Sequence, residues 1–181
     1  IARHQSEGRG RLGRTFFSPD NSGLYMSILL RPNMPVENAL EITTAAGIAV
    51  VRVLSKYVTG ALGIKWVNDV YLDMKKVCGI LTESTVDADG KKLKYAILGI
   101  GVNLFSPECG FPDDIKDIAD SVFKTNSDSN MFCKISAEII DEFFSIYDLI
   151  GKNVLIEEYR KYSVIIGKDI LISTPNEQIP A

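Results

Sequence analysis

Residues 5–14 read Gln5-Ser6-Glu7-Gly8-Arg9-Gly10-Arg11-Leu12-Gly13-Arg14, and the seven residues 8–14 hold three arginines and three glycines. Glycine lets the backbone adopt positive φ angles and approach a ligand closely. Arginine presents a planar, permanently charged group that suits carboxylate and phosphate. The stretch therefore predicts a loop that binds an anion, although it does not by itself say which anion.

The composition is that of a globular protein. The chain has 181 residues, 46% of them hydrophobic and 24% charged, and a formal net charge of −3. This fits one domain of ordinary size, with room for a small appendage. The isoelectric point of 5.2 argues against general nucleic-acid binding. No apolar run approaches the roughly 18 residues of a membrane span, and no signal-peptide pattern is evident.

Side chains for nucleophilic or metal chemistry are few. The three cysteines, Cys78, Cys109 and Cys133, are widely spaced and odd in number. Free thiols in a reducing cytoplasm are therefore favoured over disulfides or a metal cluster. The single histidine, His4, leaves little room for a Ser/His/Asp or Cys/His system, and a structural or solvated role is favoured for it.

The hydrophobic pattern predicts alternating strands and helices. Strand patterns cover residues 24–30, 64–72 (as two short pieces), 76–86 and 93–104, and helix patterns cover residues 36–58, 134–150 and 153–162. Strands follow one another through hairpins as often as through helices. This arrangement predicts an α/β (α+β) fold with a mixed, largely antiparallel sheet and helices on one face.

Three further segments could carry chemistry. Lys65 lies in an otherwise apolar strand, where an unpaired ammonium is costly, so it either reaches the surface or serves a bound anion. The pair Lys75-Lys76 is more typical of a solvated turn. Gly99 and Gly101 leave one strand face without side chains, which suits either a flat ligand or close strand packing.

These motifs together resemble the biotin protein ligase family, whose bacterial members include the BirA type. The resemblance rests on residues 5–14, 63–69, 76–81 and 99–103, which occur in the family's order and approximate spacing. It implies a catalytic domain like that of class II aminoacyl-tRNA synthetases over residues 1–166. Residues 167–181 would begin a small C-terminal β-barrel that is cut short. The family's first strand and helix, with a Ser-Thr-Asn motif, are expected to precede Ile1.

The resemblance implies a two-step ligation. Biotin and ATP, with Mg²⁺, would give biotinyl-5′-AMP, and a lysine of the biotin carboxyl carrier protein of a biotin-dependent carboxylase would then take the biotinyl group. The protein would be cytoplasmic, without a membrane partner, and a homodimer is compatible with the family. DNA would be a partner only if the full protein has a further N-terminal domain.

The resemblance also assigns roles to residues. The catalytic residues would be Lys65, which contacts the biotin carboxylate and the α-phosphate, and Arg11. The biotin-binding set would be Gln5, Gly8, Arg9, Gly10, Arg11, Lys65, Gly99 and Gly101. The set for ATP and the adenylate would be Arg11, Arg14, Phe16 and Asn103. No metal ligand is assigned.

Two departures and two alternatives stay open. The family usually has proline where this chain has Val67, and often tryptophan where it has Phe16, a smaller aromatic that can still stack on adenine. Trp66 alternates with Lys65, so we expect it to point into the core. A relative that handles lipoate or octanoate, and a non-enzymatic biotin sensor module, are the alternatives to a ligase.

Overall fold

The computed structural model describes residues 1–125, 130–152, 154–173 and 177–180. The helices are α1 (Ala39–Leu54), α2 (Met131–Tyr147) and α3 (Val154–Tyr162). The strands are β1 (Gly23–Leu30), β2 (Leu62–Lys65), β3 (Asp69–Leu72), β4 (Lys75–Val86), β5 (Leu93–Asn103), β6 (Leu171–Ser173) and β7 (Gln178–Pro180). Short 3₁₀ turns cover Arg11–Gly13 and Val36–Asn38.

Five strands form one sheet in the order β1-β5-β4-β3-β2. All four ladders between these strands are antiparallel. Among the residues that the structure describes, parallel pairing occurs only at isolated bridges, such as the one between Ile64 and Ser163. The predicted α/β (α+β) fold with a largely antiparallel sheet is therefore confirmed.

The two faces of this sheet differ because side chains alternate along each strand. One face carries buried residues such as Leu24, Ile80 and Leu98, and these belong to the hydrophobic core that the helices complete. The other face carries Gly79 and Gly101, which lie opposite each other on β4 and β5. We call this second face the open face, and the cavity described below lies on it.

Helix α1 is the central helix of the core. Twelve of its residues are buried, and a methyl group added at Gly47 would lie 3.3 Å from the Ile64 side chain. The α-helix is shorter than the predicted span of 36–58, because its first turn is 3₁₀ and it ends before Ser55. Helix α2 likewise begins and ends three residues earlier than predicted, and residue 153 of the third predicted helix lies outside the described residues.

Trp66 corrects one expectation. Its side chain is 54% exposed and lies edge-on to Tyr159 at 5.7 Å between ring centroids. The predicted core position was wrong because residues 66–68 form the turn between β2 and β3, where strand alternation no longer applies. Val67 is the residue that the turn buries.

The other single-residue expectations agree with the structure. His4 Nδ1 lies 3.5 Å from Asp20 Oδ1, with both side chains largely exposed. All three cysteines are free thiols. Cys78 is buried, and burial raises the pKa of its thiol.

The C-terminal part of the chain contributes a separate pair of strands. Strands β6 and β7 pair with each other in a separate two-stranded sheet. The division into domains at residues 166 and 167 stays a prediction. Among the described residues, no helix combines the length and the apolar character needed to cross a membrane.

One ion-pair network ties the three helices together. Arg52 of α1 donates from Nη1 to Glu142 Oε1 of α2 at 2.6 Å. Its Nε and Nη2 donate to the Glu158 carboxylate of α3 at 2.8 and 2.7 Å. The bidentate arrangement fixes α3 against α1 more firmly than a single surface ion pair would.

We expect Arg52→Ala to destabilise the fold. The change leaves Glu142 and Glu158 near each other without their shared cation, so the free energy of unfolding should fall by about 1–3 kcal/mol. Arg160→Ala is the matched control, because Arg160 pairs with Glu157 on an exposed helix surface and should change little. Urea denaturation of both variants checks this, and equal midpoints would contradict it.

Candidate functional site

A cavity of about 280 Å³ lies on the open face, between the sheet and the arginine–glycine loop. Its lining comes from the loop, from β1, from the β2–β3 turn, and from β4 and β5. The lining residues are Gln5, Glu7, Arg9, Gly10, Arg11, Phe16, Tyr25, Met26, Ser27, Asn68, Lys76, Gly79, Ile80, Leu81, Glu83, Ile97, Gly99, Ile100 and Gly101.

The loop is a small hairpin. Phe16 N donates to Gly8 O at 2.9 Å, and Gly10 N donates to Arg14 O at 2.7 Å. At the tip, Leu12 and Gly13 adopt positive φ angles of 57° and 74°. Only glycine fits at position 8, because an added methyl group would lie 2.3 Å from Phe16 O.

Two side-chain contacts hold the hairpin over the cavity. At its base, Ser18 Oγ donates to Gln5 Oε1 at 3.1 Å. Near its tip, Arg11 Nη1 donates to Asn68 Oδ1 at 3.2 Å. Asn68 in turn donates from Nδ2 to Ile80 O at 2.9 Å. The β2–β3 turn therefore connects the loop to the floor of the cavity.

The floor is made by paired glycines and one aromatic ring. A methyl group added at Gly79 or Gly101 would lie 2.9 or 2.7 Å from the Phe16 ring. Phe16 also meets Tyr25 edge-on at 6.3 Å between centroids. The missing side chains thus let an aromatic ring lie directly on the sheet, where it forms a flat apolar wall.

Lys76 is the cation of the cavity floor. Its Nζ lies 2.7 Å from Asp69 Oδ1, and the two side chains are 29% and 24% exposed. The same Nζ is 5.8 Å from the Phe16 ring centroid. Sequence reasoning missed this residue, since the pair Lys75-Lys76 suggested a solvated turn. The reason is a register shift between Val70 and Tyr71 that places Lys76 on the open face.

The structure does not bring Lys65 to the cavity. Lys65 lies on the edge strand β2, is exposed, and has its Nζ 5.7 Å from the Tyr71 ring centroid. It is on the edge strand of the sheet, where the register places it opposite Asp69, which in turn lies opposite Gly79. Its catalytic role stays a prediction. The sequence pattern that singled out Lys65 was a lysine in an apolar strand. This pattern does not reveal the position of the strand within the sheet.

The remaining predicted residues are divided between two places. Gln5, Arg9, Gly10, Arg11, Phe16, Gly99 and Gly101 line the cavity together, while Gly8 and Arg14 line a second cavity of about 710 Å³ under the loop. Asn103 lines neither of these cavities: its side chain is buried and donates from Nδ2 to Asp120 O at 3.1 Å.

Tyr25 is a lining residue that sequence reasoning also missed. Its ring and its hydroxyl are both buried. Burial raises the pKa of this hydroxyl, so it stays a neutral donor. No sequence signal distinguishes Tyr25 from an ordinary strand aromatic, because the β1–β5 register alone places it beside Gly101.

The arrangement suits a ligand with an anionic group and an apolar body. Lys76 and Arg11 supply charge-assisted donors, and Phe16 and the paired glycines supply a flat apolar surface. Within the described residues, no three His, Cys, Asp or Glu side chains come together to hold a metal ion.

Comparisons with known proteins found similar sequences and a similar fold. The model of the biotin/lipoate A/B protein ligase family matches residues 1–103. "Bifunctional ligase/repressor BirA" of Bacillus spizizenii is 36% identical over 128 residues, which are 71% of this chain and 39% of that protein. "Biotin--[acetyl-CoA-carboxylase] ligase" of Paracoccus denitrificans is 37% identical over 115 residues, 62% of this chain and 45% of that protein.

A solved structure extends the similarity in fold. "Biotin protein ligase from Aquifex aeolicus in complex with biotin and ATP" superposes with a TM-score of 0.77 at 24% identity, covering 98% of this chain and 73% of that one. The chain spans about two fifths of the length of the first curated relative, at 39%. Since the family model matches more than half of the 181 residues, the chain belongs to the biotin/lipoate A/B protein ligase family.

Proposed function

We propose that the protein ligates biotin to a lysine of a carrier protein in two ATP-dependent steps, through biotinyl-5′-AMP. The observation that carries this is the ion-paired Lys76 beside a glycine floor and beneath an arginine-rich loop. The Aquifex protein of the same fold is described with biotin and ATP, and the Paracoccus relative is named for ligation to acetyl-CoA carboxylase. Both support biotin as the acid and a carboxylase carrier domain as the acceptor.

In the first step, an oxygen of the biotin carboxylate attacks the α-phosphorus of ATP, and pyrophosphate leaves. Two anions must approach each other, so catalysis depends on positioning and charge neutralisation. Asp69 forms an ion pair with Lys76 and keeps the ammonium in place. An ammonium has three donors, and these can bind the carboxylate and the α-phosphate.

The arginines of the loop complete the anion site. Arg11 uses one donor on Asn68, and a guanidinium has five, so the remaining donors can bind phosphate. Arg14 lines the second cavity under the loop, on the path that a polyphosphate chain would take. Asn103 stays a proposed adenine contact, and it must exchange its bond to Asp120 O to make that contact.

In the second step, the amine of the acceptor lysine attacks the acyl carbon, and AMP leaves. The mixed anhydride is already activated, so the enzyme needs no nucleophile of its own. The loop that covers the cavity would shield this anhydride from water. The free thiols fit the reducing cytoplasm in which we place the reaction.

Lys76→Ala should lower biotin-dependent pyrophosphate release by about 100-fold or more, since it removes a donor aimed at developing charge. Lys94→Ala is the matched control, because it removes an exposed lysine of β5 that does not line the cavity, and it should act within a few-fold of the parent. Lys65→Ala tests the other proposed catalytic lysine and should also lower pyrophosphate release. Circular dichroism of the three variants checks that they fold.

A larger loss in Lys65→Ala than in Lys76→Ala would make Lys65 the central catalytic cation. Normal pyrophosphate release in both Lys76→Ala and Lys65→Ala would remove the lysine-centred mechanism altogether. A parent protein that releases no pyrophosphate with biotin and ATP would favour the sensor module. Comparing how far biotin and lipoate raise the melting temperature would separate a ligase for biotin from one for lipoate or octanoate.

The glycine floor gives a second test. Gly101→Ala places a methyl group 2.7 Å from the Phe16 ring, so the ring must move into the space that we assign to biotin. We expect the Kd for biotin to rise at least tenfold. Gly99→Ala is the comparison variant, because its added methyl group would have its nearest contact at 3.4 Å, with Leu81 O. This variant leaves Phe16 in place. Calorimetry and a crystal structure of Gly101→Ala check this, and an unmoved ring with unchanged affinity would contradict it.

A further inference from the structure

Gln5 is a long, exposed side chain at the base of the arginine–glycine loop, and it lines the cavity. A free glutamine side chain samples several rotamers, and a ligand that binds it must first bring it to one of them. The amide also has an acceptor end and a donor end, so its orientation decides which ligand groups it can meet. A residue that holds this amide therefore contributes to ligand binding without touching the ligand.

Ser18 is the residue that holds the Gln5 amide. Ser18 is 5% exposed, and its Oγ donates to Gln5 Oε1 at 3.1 Å. The backbone joins the same two residues, because Gln5 N donates to Ser18 O at 3.2 Å. The main chain and the side chain of Gln5 are thus both bound to one buried residue, which lies on the opposite arm of the loop.

The surroundings of the Ser18 hydroxyl confine it. A methyl group added at Gly8 would lie 2.6 Å from Ser18 Oγ and 3.2 Å from Gln5 Oε1. A second acceptor, Phe16 O, lies 2.9 Å from the same Oγ, and a hydroxyl has one hydrogen to give. Burial raises the pKa of the Tyr25 hydroxyl, and hydrogen bonding that involves Ser18 partly offsets this rise. Ser18 is therefore packed from several sides and has little freedom to turn away from Gln5.

We infer that Ser18 is a positioning residue for biotin, because it fixes the Gln5 amide with a free lone pair of Oε1 and the Nε2 hydrogens available to the ligand. The inference rests on the proposed function, in which Gln5 is one of the biotin-binding residues. An amide oxygen has two lone pairs, and Ser18 uses one of them. The ureido ring of biotin carries N–H donors beside a carbonyl acceptor, so an amide fixed in one plane complements it.

Ser18 acts on the ligand only through Gln5. It lines neither of the two cavities, so it makes no contact of its own with a molecule bound there. Its contribution is to hold a flexible side chain in the binding geometry before the ligand arrives. Losing the hydroxyl should therefore weaken biotin binding and leave the chemical step unchanged once biotin is bound.

Calorimetry on the full-length protein measures the Kd for biotin. Ser18→Ala should raise this Kd about 3- to 10-fold, the range for one net hydrogen bond. Pyrophosphate release at saturating biotin and ATP should stay within about twofold of the parent rate. Ser22→Ala is the matched control, because Ser22 is also buried but its Oγ donates to Pro19 O instead of Gln5. Its Kd for biotin should match that of the parent.

A double-mutant cycle separates positioning from a general structural effect. If Ser18 acts through Gln5, Ser18→Ala should change the Kd for biotin little in a Gln5→Ala background. An equal loss in both backgrounds would contradict the inference, since Ser18 would then support the loop independently of Gln5. Thermal denaturation checks that each variant folds. Ser18→Cys, which keeps a side chain of similar shape with a weak donor, replaces Ser18→Ala if the alanine variant does not fold.

The outcomes distinguish the inference from the proposed function. A parent protein that does not bind biotin would refute the proposed function itself. A parent that binds biotin, with a Ser18→Ala variant that binds it equally well, refutes only the role of Ser18. An equal rise of the Kd in Ser22→Ala also refutes that role, because the loss would then come from local packing. A lower rate at saturating biotin with an unchanged Kd would likewise overturn it.

Discussion

The pairing of β4 with β5 is the constraint on which the site depends. It sets Gly79 directly opposite Gly101 and so removes two side chains from the middle of the open face. Phe16 fills part of that space and forms a wall instead of lying in the core. A shift of one residue in this pairing would turn the glycines towards the helices and side chains towards the ligand. The cavity therefore depends on the register of β4 and β5 more than on any single residue.

The charged groups of the site come from segments that are distant in sequence. Asn68 of the β2–β3 turn accepts a hydrogen bond from Arg11 of the loop. Asp69 of β3 forms an ion pair with Lys76 of β4. Arg11 and Lys76 are thus each held by a partner, and a held cation loses less conformational entropy when a ligand binds. Because the site lies on strands more than on loops, its geometry is well fixed.

The helices pack against the other face of the sheet and stabilise it. Helix α1 is buried along most of its length, and Arg52 connects it to α2 and α3 through Glu142 and Glu158. The core and the ion pairs therefore support one face of the sheet, so the other face can remain free for a ligand. The open face carries glycines and polar groups that contribute little to stability.

The sequence by itself determined the strand and helix pattern, the largely antiparallel sheet and the arginine–glycine loop, because these depend on local periodicity and on residue types within a few positions of each other. Only the tertiary structure decided which lysine enters the cavity. Lys65 and Lys76 both lie on strands that end near turns. Lys76 lines the cavity and Lys65 does not, because of the strand order and the bulge after Val70. Trp66 was misplaced for a related reason, since a tight turn ends the alternation that a strand pattern assumes. Strand order, register shifts and turns are set by contacts between distant segments, and no pattern within one segment records them.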